Sequence, residues 1–225
     1  MEAVYLPRRA RLLRHNPAAW VGIVLFLSLA GASLAAPWLA PYDPLATQPI
    51  RQLQPPGLAH PAGTDLFGRD VWSRVLWGGR LSLGAGLLAV ALAALPGSLI
   101  GLLSGYAGGW LDAWLMRTMD VLLAFPSLLL ALTLMTLLGP GLLSAALAIG
   151  LAGIPRFARV TRISALRLRS ASFVEAARLV GCRPMRILGR HLLPNMAGSL
   201  LVLTALELGY ALLSIGALSF IGLGA

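Results

Sequence analysis

The polar side chains of this chain offer few combinations that could break a covalent bond within a membrane. An intramembrane protease or lipid transferase would need serine with histidine, paired aspartates or a histidine cluster at the depth of the apolar runs. His15 and His60 lie outside those runs, and His191 lies at the edge of one. Glu207 is the one carboxylate near the middle of such a run. An intramembrane enzyme is therefore only a remote alternative, and we predict a non-catalytic chain.

The sequence also lacks the P-loop motif for nucleotide binding. All 18 basic residues are arginine, whereas a P-loop needs the lysine of Gly-Lys-Ser/Thr to hold phosphates. If ATP drives the protein, separate subunits must bind ATP and Mg, and we predict no cofactor for this chain. The arginines lie between apolar runs, which favours membrane topology and anionic lipid over nucleic acid as their explanation. The single cysteine, Cys182, permits no intrachain disulfide.

One polar, arginine-rich stretch, residues 172–194, separates two long apolar runs. Ser172 followed by Glu175 has the spacing of a capping box and predicts the start of a helix. Gly181 falls where a helix commonly ends in a left-handed residue, and Pro184 suits the first turn of the next helix. The sequence thus predicts a helix of about two turns, a glycine break and a second helix that enters the membrane.

Composition places the chain among helical membrane proteins. It is 58% hydrophobic and 12% charged, whereas soluble chains carry roughly a quarter charged residues. Charge-free runs longer than the about 20 residues of a membrane span recur along the chain. The predicted class is an all-α polytopic membrane protein with five transmembrane helices. We place these helices at residues 18–40, about 81–104, 113–138, 142–160 and 195–220.

The distribution of arginine predicts the topology of these spans. Fourteen arginines fall in the basic tail 1–17, at Arg117 and between residues 156 and 190, and four fall between residues 51 and 80. The positive-inside rule then places the N-terminus and the loop 161–194 in the cytoplasm and the loop 41–79 outside. A cleaved signal peptide is the less favoured alternative for the first run, which is too long for such a segment.

Two sets of charged residues outside the central stretch allow local predictions. Asp65 and Asp70 could be metal ligands, but pairing with Arg69 and Arg74 is the favoured interpretation. In the third predicted span, Arg117 and Asp120 have the i,i+3 spacing of an ion pair, and we expect them to pair at the membrane edge. Asn195 has the position of a helix cap for the fifth predicted span.

Three motifs occur in a fixed order along the core of the chain. They are Gly63-Thr-Asp65-Leu-Phe-Gly68-Arg69-Asp70 with Ser73-Arg74, then Gly105-Tyr-Ala-Gly-Gly-Trp110-Leu-Asp112, then Glu175-Ala-Ala177, Gly181 and Leu193-Pro194. This series resembles the permeases of the peptide/nickel family of ABC importers, in the subunit type with one long external loop after its first span. The resemblance implies the type I ABC importer permease fold for residues 80–225. That family has six spans, of which five are visible in this sequence.

The same resemblance assigns a role to the stretch 172–194. In the family, the short helix of this stretch couples the permease to a separate ATPase subunit. The residues that would form the coupling site here are Ser172, Glu175, Ala176, Ala177, Gly181, Pro184 and Pro194. The sequence departs from the family at His191, where an aliphatic residue is usual.

The expected function is that of a permease subunit in an ATP-driven importer of the bacterial inner membrane. By resemblance, the chain would form half of a pathway for di- or oligopeptides. Its partners would be a homologous permease, two ABC ATPases, an external substrate-binding protein and membrane lipid, with no nucleic acid. Import of nickel or a metal chelate is the alternative, because those permeases share the motifs. Glu207 would face the pathway or the partner permease, or make a fixed polar contact with a neighbouring helix.

Overall fold

The computed structural model describes residues 17–224, and the chain forms two compact units, one running to Leu83 and the other beginning at Gly84. The basic tail and the predicted position of the N-terminus lie outside the described residues. Between residues 17 and 224 the regular structure is helical, apart from an isolated bridge between Thr64 and Asp70. The predicted all-α class is confirmed.

The first unit contains one apolar helix and a folded loop. Helix α1 is Pro17–Leu34, and the four-residue helix α2 is Ala36–Leu39. A 3-10 turn, Pro49–Arg51, precedes the start of the long helix α3, Val71–Ala107. The predicted first span, 18–40, is therefore interrupted at residue 35, directly before the short helix that contains Pro37.

The expected loop 41–79 is too long at its C-terminal end, because α3 begins at Val71 rather than near residue 81. The carboxylate of Asp70 accepts a hydrogen bond from the backbone N–H of Ser73 at 2.8 Å. This is the bond of an N-cap residue, and it allows the helix to begin before the apolar run does. The first ten residues of this helix were missed because the prediction followed hydropathy alone.

The remainder of the loop is held by one carboxylate. Asp65 accepts hydrogen bonds from the backbone N–H groups of Phe67 and Arg69, at 2.8 and 3.0 Å. Its other oxygen pairs with the guanidinium groups of Arg69, at 2.7 Å, and Arg74, at 2.6 Å. Gly68 has φ +70°, and a Cβ there would collide with the backbone of Gln48. The motif residues therefore build the loop, and the expected pairing of Asp65 with both arginines is present.

Asp70 does not pair with an arginine as expected. Its buried carboxylate lies 2.8 Å from Nδ1 of His60, which is also buried. The other ring nitrogen of His60 lies 3.4 Å from Arg51, and the ring lies 4.8 Å from that of Tyr42. The histidine reaches Asp70 from ten residues away, a pairing that local spacing could not predict.

The second unit begins within α3 and continues with three apolar helices, α4 (Gly109–Leu123), α5 (Ser127–Leu138) and α6 (Leu142–Arg169). The predicted span at 113–138 is not one continuous helix. Helices α4 and α5 meet at an angle of 87°. Pro126 lies at the break, and its ring prevents the preceding turn from continuing as a helix. Helix α6 extends nine residues beyond the predicted span end at residue 160.

The C-terminal part of the chain contains the predicted short helix, glycine break and second helix. Helix α7 is Ser172–Leu179, and the short helix α8, Pro184–Arg186, runs through a π turn at Ile187–Leu192 into α9, Leu193–Phe220. The fifth predicted span, 195–220, lies within the second helix, which begins at Pro184, the residue expected in its first turn. Asn195 is not its cap: its side-chain amide donates to the carbonyl of His191, inside the helix, at 2.7 Å.

Four described helices are long and apolar enough to cross a membrane, and the bent pair α4 and α5 makes a fifth span if it counts as one. The second unit is built on the helix contacts of α6, which include its close contact with α3. A Cβ added at Gly97 would lie 2.6 Å from the carbonyl oxygen of Ile154, and one at Gly105 would lie 2.7 Å from Cβ of Ala165. Gly101, between them, approaches the Ala158 carbonyl even more closely. The small residues bring the two backbones together, as is common between helices in lipid.

The stability of the loop that contains Asp65 depends on pH through the carboxyl group of this residue. Burial alone raises the pKa of this carboxyl group, but hydrogen bonds from Arg69 and Phe67 outweigh that effect and lower its pKa from 3.8 to about 2. Because the folded-state pKa lies below the unfolded-state pKa, the stabilisation is fully present above 3.8 and is lost as the pH falls through about 2.

We predict that pepsin cleaves the wild-type loop slowly at pH 4 and progressively faster toward pH 2, relative to an unstructured peptide of the same loop sequence. In Asp65→Asn, the relative cleavage rate should already be high at pH 4. Asp43→Asn is the matched control, because the Asp43 carboxylate accepts a hydrogen bond within its own turn, from Leu45. A pH-independent wild-type profile, or a control that behaves like Asp65→Asn, would contradict the prediction.

Candidate functional site

The candidate site begins at α7, whose start lies at the predicted residue but has a different physical basis. Ala171 occupies the cap position, no side chain caps the helix, and Ser172 is its first residue. The capping box of Ser172 and Glu175 is therefore absent, and the prediction that Glu175 caps its own helix is wrong. Glu175 instead lies in the first turn, where its negative charge interacts favourably with the helix dipole.

Gly181 ends α7 in a hydrogen-bonded Schellman motif. Its φ is +80°, its N–H donates to the carbonyl of Arg178 at 2.9 Å, and the N–H of Cys182 donates to the carbonyl of Ala177 at 3.0 Å. Nothing lies within 4 Å of a Cβ built at Gly181. The requirement for glycine is therefore conformational and costs another residue about 1 kcal/mol, whereas the space outside is open.

One face of α7 packs against neighbouring helices of the second unit. Val174 is fully buried in an apolar cluster with residues of the π turn and α9, and Ala177 and Cys182 pack against this cluster. Arg178 lies over the ring of Tyr106, 5.2 Å from its centroid. Ala177, one of the predicted coupling residues, therefore faces inward, while its neighbour Ala176 is exposed.

Four apolar side chains of this segment are exposed, among exposed charged residues. Leu179 is 89% exposed, Val180 is 85% exposed and Met185 is 76% exposed. Phe173 in the first turn of α7 is also exposed. We name residues 172–194 the coupling segment, after the role that the resemblance predicts for them, and we name these four exposed residues its apolar face. The motif-based prediction missed them, although apolar residues between Arg178 and Arg186 were a signal that could have found them.

Pro184 and Pro194 lie at different structural positions within this segment. Pro184 is the first residue of α8, a position where its missing N–H is not needed. Pro194 lies inside the continuous helix, directly after the π turn. A π turn changes the hydrogen-bond spacing of the helix and so accommodates a proline that a regular α-helix would exclude. Both prolines are exposed.

Glu207 lies far from this segment, in the middle of α9, and pairs with α6. Nη1 of Arg156 lies 2.9 Å from Oε1 and 2.8 Å from Oε2 of Glu207. The guanidinium also lies over the ring of Tyr210, 4.4 Å from its centroid, and the Tyr210 hydroxyl lies 2.6 Å from Oγ of Ser127. The contact with a neighbouring helix, one of the sequence-based alternatives for Glu207, is thus present.

Two further arginines of α6 pair with carboxylates of α4. Arg162 forms a bidentate ion pair with Asp112, at 2.5 and 2.6 Å. The hydroxyl group of Ser104 donates a hydrogen bond to the same carboxylate. Arg159 pairs with Asp120 at 2.6 Å. The expected pair between Arg117 and Asp120 is therefore wrong, because the tertiary structure brings a better-placed partner from α6.

These two pairs allow one chemical change to be compared at two burial levels. The side chain of Asp112 is 14% exposed and that of Asp120 is 47% exposed. We predict that Asp112→Asn lowers the free energy of unfolding by about 3 kcal/mol, because it leaves a half-buried guanidinium without its carboxylate. Asp120→Asn should cost less than about 1 kcal/mol. Denaturant unfolding in detergent measures both, and equal losses would contradict the role given to burial.

Comparison with known proteins identifies the family. Residues 97–225 match the family described as the inner membrane component of binding-protein-dependent transport systems, and residues 8–56 match the N-terminal transmembrane domain of oligopeptide transport permease C. The first match contains α6, the coupling segment and Glu207.

Several relatives are similar over almost the whole of this chain. A Brucella abortus protein provisionally named a peptide transport system permease protein is 46% identical over 95% of this chain and 72% of its own length. The dipeptide transport system permease protein DppC of Alkalihalophilus pseudofirmus is 40% identical over 95% of this chain and 70% of its own. The glutathione transport system permease protein GsiD of Escherichia coli is 40% identical over 96% and 71%. The chain therefore belongs to the family of inner-membrane permeases of binding-protein-dependent transport systems.

Proposed function

We propose that this chain is one of two homologous permease subunits in an ATP-driven importer of peptides. The relatives that it matches are named for transport of peptides, dipeptides or glutathione, all of which contain peptide-like amide bonds. Two ABC ATPases would bind ATP and Mg, and an external binding protein would deliver the substrate. Within this chain no residue is assigned to bond-breaking chemistry.

The apolar face of the coupling segment is the observation that carries the proposal. An apolar side chain exposed to water gains free energy when a partner covers it. Here Leu179 and Val180 protrude almost completely from the end of a helix whose inner face is fixed by Val174. A small, rigid, apolar projection of this kind suits insertion into a groove on an ATPase subunit.

The helix that follows the segment suggests how docking is coupled to transport. Residues from Pro184 to Phe220 form one helix with a π turn, so that a displacement of α7 and α8 acts directly on α9. Glu207 lies 23 residues after Pro184, about 35 Å along this helix. ATP-driven movement at the coupling segment would therefore be transmitted to the middle of the membrane.

The first test examines docking. We predict that Leu179→Ser and Val180→Ser weaken recovery of the ATPases with the purified permease and reduce peptide uptake, because they remove apolar contact area. Neither change should lower the stability of the permease itself, since both side chains are exposed. Gly181→Asp should have a stronger effect and abolish transport, because it adds backbone strain and a charge beside the apolar face.

Reconstitution of the complete complex in lipid measures ATPase recovery and uptake side by side. Gly189→Asp is a suitable charge control, because Gly189 is exposed in the π turn and a Cβ there meets nothing within 4 Å. Normal ATPase recovery and uptake in the Leu179, Val180 and Gly181 variants would reject the docking role.

The second test concerns orientation in the bacterial inner membrane. We propose a cytoplasmic N-terminus and an external loop containing Gln54, on the basis of the arginine distribution. A Gln54→Cys variant carrying Cys182→Ser should react with a membrane-impermeant thiol reagent in cells whose outer barrier has been opened. Reaction only after lysis of the inner membrane would invert the topology. Cys182 in an otherwise unchanged chain is the opposite control, because this orientation places it inside.

A further inference from the structure

The polar group around Arg156 and Glu207 links two helices that are long and apolar enough to span a membrane. Arg156 is 14 residues from the start of α6 and 13 from its end, and Glu207 is 13 residues before the end of α9. Each is therefore about 20 Å along its helix from the nearer end, and both lie within the apolar spans predicted at 142–160 and 195–220. The break between α4 and α5 reaches the same place, because Ser127, the first residue of α5, contacts Tyr210.

The ion pair at this depth is only partly enclosed by the chain itself. The side chain of Arg156 is 26% exposed and that of Glu207 is 12% exposed. Both bonds to Glu207 come from the same guanidinium nitrogen, Nη1, although a guanidinium has five N–H donors in all. Arg156 therefore has N–H donors that do not bond to Glu207, and one edge of the ion pair is accessible from outside the chain.

The accessible edge is unsuited to lipid. A charged group in contact with the hydrocarbon core costs several kcal/mol, so intramembrane charges face protein or a water-filled cavity. Non-helical backbone at membrane depth, such as the break at Pro126, is tolerated in the same surroundings. Both features place this edge toward the interior of the assembled transporter.

We propose that the Arg156–Glu207 pair is a transient binding site for the charged ends of the transported peptide, an inference that rests on the proposed import of peptides. Arg156 receives the terminal carboxylate of the peptide, and Glu207 receives its terminal ammonium group. Both groups are ion-pair partners of the opposite sign, and Arg offers the planar donor arrangement that carboxylates prefer.

Exchange of partners explains why a pair suits transport better than a single charge. In the empty site each charge neutralises the other, which limits the cost of holding both in the membrane. When a zwitterionic peptide enters, one internal pair is replaced by two pairs with the substrate, and the net charge of the site does not change. The internal pair re-forms as the peptide leaves, so that binding remains weak enough for release.

A purely structural tie between α6 and α9 makes a different prediction. Loss of such a tie would reduce uptake of all substrates by the same factor. A binding site for peptide ends would instead change the discrimination between peptides with free and blocked ends. The ratio of uptake rates therefore separates the two roles.

The experiment uses the complete transporter in proteoliposomes with three forms of one peptide: free, C-terminally amidated and N-terminally acetylated. Arg156→Gln should reduce the preference for the free peptide over the amidated one about tenfold, the effect of losing one charge-assisted interaction. It should leave the preference over the acetylated form nearly unchanged. Glu207→Gln should show the reverse pattern.

Arg159→Gln is the matched control, because Arg159 lies one turn further along α6 and pairs with Asp120 outside this group. It should leave both preferences unchanged. Unchanged preferences in Arg156→Gln and Glu207→Gln, or an equal fall for all three peptides, would overturn the proposal. Absence of uptake of every peptide by the wild-type complex would instead reject peptide import itself.

A measurement on the wild-type complex covers the case in which the variants fail to assemble. A transported peptide with a photoreactive group beside its carboxylate should cross-link to the middle of α6, near Arg156. The same group beside the ammonium end should cross-link to the middle of α9, near Glu207. Cross-links confined to other parts of the transporter would overturn the proposal without any substitution in the chain.

Discussion

Close packing of α3 against α6 is the contact on which the second unit depends. Lipid is as apolar as the side chains it surrounds, so helices in a membrane gain little from apolar contact alone and need close fit and polar links. Gly97, Gly101 and Gly105 provide the fit, with α6 backbone or Cβ atoms where their own side chains would be. The approach also brings the guanidinium of Arg169 to the carbonyl of Gly105, at 3.2 Å. A tight helix contact and a polar link thus occur at the same place.

Helix α6 consequently makes polar contacts with several helices of the unit as well as close packing contacts. Its arginines bond to three different elements: Arg156 to α9, Arg159 and Arg162 to α4, and Arg169 to α3. Each pair satisfies a charge that would be costly alone at or near membrane depth. Because the arginines recur along one helix, the surrounding helices are held at defined heights along it. The mixed helical spacing visible in the sequence therefore has a structural explanation beyond positive-inside topology.

The coupling segment combines rigidity on one side with exposure on the other. Val174 and the buried residues of the π turn fix the position of α7, and the Schellman motif at Gly181 defines where α8 begins. The same arrangement leaves Leu179 and Val180 projecting on the opposite side. A rigid projection that continues into a membrane helix is mechanically suited to transmit force, whereas a flexible loop would absorb it. The break between α4 and α5 lies beside the central part of α9, where Ser127 contacts Tyr210.

The sequence by itself determined the class, the approximate number of spans, the glycine at the end of α7 and the permease family. These properties depend on local composition and spacing: long apolar runs need a membrane, and a left-handed residue at a helix end favours glycine. The predicted ion pairs of Asp65 are also present, because Arg69 and Arg74 are close to it in the chain.

Only the tertiary structure decided the partners of Asp70, Asp120 and Glu207, the 87° break at Pro126 and which side of α7 is open. Hydropathy does not distinguish one span from two apolar helices at an angle, since both are equally apolar. Local spacing offered Arg117 to Asp120 and a capping box to Ser172, but neither contact forms. An ion pair forms where the folded helices bring opposite charges together, and for Glu207 that partner lies 51 residues away in the chain.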